Sequence, residues 1–77
     1  MNMFEEIRDI MVSTLDVDED KITPSTNLRT DLDIDSLDLV EFVSEVEDHF
    51  GIMIPQDSLE GIQTVSDFAD LVESLNK

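Results

Sequence analysis

The chain has 77 residues, with 4 Lys and Arg against 20 Asp and Glu, one His, no Cys and a formal charge of −16. That length suits one small domain over residues 1–77, and the missing Cys and single imidazole exclude disulfides and disfavour structural zinc. A surface this acidic repels nucleic-acid phosphates and anionic lipid headgroups, and it draws in basic protein surfaces.

High acidity also accompanies disorder, but 40% hydrophobic content and clear periodicity point to a folded chain. The N-terminal Met-Asn-Met-Phe-Glu-Glu is neither a basic signal region nor an Arg-rich transit peptide. No apolar run approaches membrane-spanning length. The expectation is a soluble, cytoplasmic protein with no membrane insertion.

Phe4, Ile7, Ile10, Met11 and Leu15 recur at helical spacing and predict a first helix over about Met3 to Leu15. Asp16 to Thr30 reads as a long connection. Thr23-Pro24-Ser25 is its turn signal, and Ile22 and Leu28 are its apolar anchors. A second helix opens with Asp35 as cap and Asp38 in its first turn. Leu39, Phe42, Val43, Val46 and Phe50 form its apolar stripe, and Gly51 supplies the stop. Ile52-Met53-Ile54 has the character of a short strand, without an evident partner. Pro55, Asp57 and Ser58 open a short helix through about Glu60. Thr64-Val-Ser-Asp67 is a capping box with Asp in place of Glu, leading into Val65, Phe68, Ala69, Leu71, Val72 and Leu75. The sum is an all-α, four-helix bundle with three longer helices, one short helix and a long first loop. A loop of that length crosses the bundle or carries function.

Ser36 stands in the first turn of the second helix. Ser and Asp are common there for local hydrogen bonding alone, so Asp-Ser-Leu by itself reads as a simple cap. A hydrolase nucleophile is excluded. No Gly-x-Ser-x-Gly elbow surrounds Ser36, and along one helix His49 would lie roughly 20 Å away. His49 is better read as a surface residue near a helix C-terminus. Asp31, Asp33 and Asp35 have the spacing of a calcium loop, but Ser36 falls where Gly is needed and Phe42 where Glu is needed. The count from Asp16, Asp18 and Asp20 fails at Lys21 and Asn27. No metal site is expected.

A modified serine fits better. At 3.6 residues per turn the stripe faces inward. Leu37 and Ser44 then point away, Val40 lies on the flank, and Asp38, Glu41, Glu45 and Asp48 make an acidic outer stripe. Apolar residues ringed by acids beside an exposed hydroxyl form a partner-docking patch, although single exposed apolar residues are also normal. Free N–H groups at the helix start favour a phosphodiester on Ser36.

The segment Leu32-Asp-Ile-Asp-Ser-Leu-Asp-Leu-Val-Glu41 resembles the attachment segment of acyl carrier proteins. The resemblance extends over nearly the whole chain, through the long first loop, Phe50, Ile54-Pro55 and Thr64-Val65. It implies a monomeric carrier that is not an enzyme. A phosphopantetheinyl transferase would move 4′-phosphopantetheine from coenzyme A onto Ser36, which Asp35 and Leu37 flank. Acyl intermediates would ride on the arm as thioesters, most commonly in fatty acid biosynthesis. Acyl-processing enzymes with basic patches would dock on Leu37, Asp38, Val40, Glu41, Glu47 and Asp48. Leu39, Val43, Val46, Ile54, Ile62 and Ala69 would line an acyl pocket, or else are ordinary core. Asp33 replaces the Gly usual in the family. A specialised carrier for polyketide, lipid-A-type, aminoacyl or D-alanyl cargo is the neighbouring reading. An unmodified acidic adaptor for basic partners lies outside the class.

Overall fold

The computed structural model describes residues 2–32 and 34–76; Asp33, noted above for its place in the attachment segment, lies outside the described residues. Among them are four α-helices: α1 Met3–Leu15, α2 Ser36–Phe50, α3 Gln56–Leu59 and α4 Val65–Leu75. A single 3-10 turn, Glu19–Lys21, interrupts the long loop. No strand forms among the described residues, and the apolar Ile52-Met53-Ile54 is unpaired chain rather than a strand. With no second edge to pair against, its backbone is held by α2 instead.

Each longer helix starts where a side chain takes up an orphan N–H. The Asn2 side chain accepts from the Glu5 N–H at 2.9 Å and caps α1. Asp35 and Thr64 do the same for α2 and α4, each with an Asp three residues on that reaches back to the cap backbone. The ends differ. Gly51 closes α2 at φ 66°, where a side chain would be strained, whereas α1 ends on Asp16 at φ 56°. Asp tolerates that left-handed conformation better than most residues.

The core is continuous. Ile7 and Met11 of α1, Phe42 and Val46 of α2, and Val65, Phe68 and Val72 of α4 have no exposed surface. α1 packs on both α2 and α4. The Phe42 and Phe68 rings, tilted with centroids 5.2 Å apart, join α2 to α4. From the long loop, Ile22, Leu28 and Leu32 are buried in the same cluster.

The loop is tied down by polar groups as well. Thr26, the one buried polar side chain among the described residues, accepts from the Thr23 N–H at 2.8 Å and donates to the Lys21 carbonyl at 3.0 Å. Arg8 of α1 reaches Glu19 at 3.3 Å and lies over the Phe4 ring, fixing the 3-10 turn against α1. The loop then meets the start of α4. Leu28 N–H donates to Gln63 O, Val65 N–H to Thr26 O and Ser66 N–H to Pro24 O, at 2.8–2.9 Å. The Asn27–Thr64 bridge belongs to the same seam. Two N–H groups that a helix start normally leaves to water are thereby satisfied inside the protein.

Candidate functional site

The start of α2 is built differently. Asp35 adopts an extended backbone, and its Oδ1 accepts from the Asp38 N–H at 2.9 Å. Asp38 Oδ2 accepts in turn from the Asp35 N–H at 3.4 Å. This box sets the helix register so that Ser36 is its first residue. Ser36 is exposed. Among the described residues, neither its hydroxyl nor the N–H groups of Ser36 and Leu37 have a hydrogen-bond partner. The serine oxygen is therefore accessible, at the positive end of a helix dipole.

A groove of about 550 Å³ runs from Ser36 between α2 and the chain that carries α3. Leu39, Val40 and Val43 form its α2 wall, Ile54 and Leu59 face them, and Arg29, Glu47 and Glu60 add charge to the lining. A second hollow of about 330 Å³ also adjoins Ser36, lined by Leu28, Arg29, Ile34, Asp35 and Leu39. The volume of the groove is within the range of small-molecule sites.

The residues expected from sequence separate into groups. Leu39, Val43 and Ile54 line the groove. Val46 and Ala69 are buried in the core, Ile62 packs half-buried against it, and none of these three borders the groove. Leu37 and Val40 are 65% and 63% exposed, and Glu41 and Asp48 are exposed as well. Together they present apolar and acidic groups on the outer side of α2. Asp38 is half-buried in the capping box. Glu47 is also half-buried, and its Oε2 accepts from the Ile54 N–H at 2.7 Å. That bond fastens the chain after α2 and shapes the groove. His49 is exposed, its ring edge-on to Phe50.

Sequence reasoning missed Arg29, Leu59 and Glu60 as groove residues. For Arg29 a signal existed, since it is the only Lys or Arg between Lys21 and Lys77. Leu59 and Glu60 come to the groove through the placement of α3, which no local pattern reports.

No three His, Cys, Asp or Glu side chains are grouped to hold a metal among the described residues. No described helix is long and apolar enough to cross a membrane. An exposed serine at a helix start, without a hydrogen-bond partner among the described residues and opening on a largely apolar groove, fits covalent attachment of a phosphate-linked arm. Residues 5–72 match the model of the phosphopantetheine attachment site, and the chain belongs to that family. It is a carrier that takes phosphopantetheine, and not an enzyme. The chain is similar to an acyl carrier protein of Lactobacillus acidophilus, with 46% identity over 72 residues, covering 94% of this chain and 90% of that protein.

Proposed function

We propose that this chain carries acyl intermediates as thioesters on a 4′-phosphopantetheine arm attached to Ser36, in fatty acid biosynthesis in the cytoplasm. Residues 1–77 act as one carrier domain, working as a monomer. The observation that carries the reading is the exposed Ser36 hydroxyl at the mouth of a largely apolar groove. In the loading step the Ser36 oxygen attacks the phosphorus of coenzyme A that bears the pantetheine. The phosphoanhydride bond breaks, the nucleotide leaves, and the hydroxyl proton passes to a base of the transferase. The arm supplies a thiol, which this Cys-free chain otherwise lacks.

The chain's own residues do the rest. Asp35 and Asp38 hold the helix start rigid around the serine. The positive end of the α2 dipole, where Ser36 stands, favours the added anion. Leu39, Val43, Ile54 and Leu59 give an acyl chain an apolar wall. Leu37 and Val40, with the carboxylates of Glu41 and Asp48, form the surface on which a phosphopantetheinyl transferase and acyl-processing enzymes with basic patches dock. The test is intact mass after incubation with coenzyme A and a transferase. Wild type gains one phosphopantetheine and Ser36→Ala gains none, while circular dichroism shows both folded. No gain with several transferases would leave an acidic adaptor as the better reading. Cargo recovered from cells as a fatty acyl thioester supports the pathway, and an aminoacyl or polyketide cargo moves the chain to a specialised carrier.

A further inference from the structure

Arg29 stands apart from Arg8 and Lys21, the other Lys and Arg among the described residues. Arg8 and Lys21 are each within 4 Å of a carboxylate, Arg8 at 3.3 Å from Glu19 and Lys21 at 3.7 Å from Asp18. Arg29 has no carboxylate partner among the described residues, although 20 acids share the chain. It is nevertheless held in place. The Asn27 side chain accepts from the Arg29 and Thr30 N–H groups at 2.9 and 3.1 Å, and the Leu28 N–H is bound to Gln63 O. One guanidinium nitrogen donates to the Leu59 carbonyl at 3.2 Å, across the groove from α2. A guanidinium has further N–H donors, in a planar fork that matches phosphate.

Arg29 borders both hollows that adjoin Ser36. The other charged groups lining them are all acidic: Glu47 and Glu60 on the groove, Asp35 on the smaller hollow. A phosphodiester on Ser36 adds one more anion to ground already negative, and Arg29 is the cation placed to offset it.

We propose that Arg29 is a positioning residue for the phosphodiester on Ser36: its guanidinium donors other than the one on Leu59 hold the anion while its bond to Leu59 ties the root of the arm to the far wall of the groove. The proposal rests on attachment at Ser36. Exposed pairs of this kind are modest in energy and fall with salt. The consequence is a coupling between residue 29 and the modification, which a purely structural tie to Leu59 would not produce.

The experiment compares apo and phosphopantetheinylated forms of wild type, Arg29→Gln and Arg29→Lys by urea unfolding at low and high salt. In low salt Arg29→Gln lowers the folding constant of the modified form about two- to fivefold more than that of the apo form. High salt shrinks the difference, and Arg29→Lys recovers part of it as a point charge. By NMR, the Arg29 Nε–H resonance of wild type moves on modification, and the phosphorus resonance differs between modified wild type and modified Arg29→Gln. Equal losses in apo and modified forms, with both resonances unmoved, overturn the proposal while leaving attachment intact. Wild type that gains no mass overturns attachment itself, and this role with it.

Discussion

Replacing Glu47 tests whether the groove depends on a side chain that sequence assigns to partner docking. Its Oε2 accepts from the Ile54 N–H at 2.7 Å, and Ile54 is buried. Its carbonyl accepts from the N–H groups of Gly51 and Ile52 at the end of α2. Glu47→Ala keeps those backbone bonds and removes only the side-chain acceptor, leaving the N–H of Ile54 without a protein partner. A hydrogen bond to a charged group contributes about 1.5–3 kcal/mol, and the half-exposed setting brings the expected loss to about 1–2 kcal/mol. A domain of this length has about 4–12 kcal/mol in total, so the loss is a sizeable fraction. Urea unfolding reads it directly, and the melting temperature falls by about 5–15 °C. Glu47→Gln keeps an oxygen acceptor without the charge and loses about half as much. The Ile54 amide, followed by hydrogen exchange, loses protection in Glu47→Ala. An alanine variant as stable as wild type, with Ile54 still protected, would refute the reasoning and return Glu47 to the docking surface.

The backbone N–H of Thr64, then that of Gln63, holds the Asp67 carboxyl below the usual carboxylate range. A lowered folded-state pKa contributes stability above the unfolded value near 3.9, and that stability is lost as pH falls through the lower folded value. Asp67→Asn is therefore less stable than wild type at neutral pH, and the two converge in acid; a gap that persists in acid denies the linkage. With a charge of −16, added salt or a divalent cation raises the melting temperature, and a flat or falling salt titration speaks against self-repulsion. Glu41→Lys with Asp48→Lys slows transfer by enzymes with basic docking patches and does not lower the unfolding midpoint, because both side chains are exposed and the change relieves negative charge. Kinetics equal to wild type would remove these residues from the contact.

What the sequence made legible follows the range of the forces involved. The bounds of α2 are written locally, in the Asp35 cap, the stripe from Leu39 to Phe50 and the left-handed Gly51. The Thr64 box marks α4 in the same way. The 3-10 turn was not legible, because its hold comes from Arg8 and Phe4 on another helix. A hydrophobic stripe says which residues face inward, but not which stay at a groove and which go to the core. Val43 and Val46 share one stripe, yet only Val43 borders the groove. That division is made by where α3 and the Ile54 segment come to lie. Glu47 shows the same limit for polar groups, since its position on the flank of α2 does not reveal the amide waiting beyond Gly51.

The seam between the long loop and the last helix makes α4 something other than a local element. Its opening amides are completed by carbonyls of Pro24 and Thr26, on chain laid down before α2 begins. Deleting the loop would therefore fray the far end of the polypeptide, and removing α4 would release the loop that holds Arg29. The beginning and the end of the molecule assemble as one unit, with the serine-bearing helix enclosed between them in sequence.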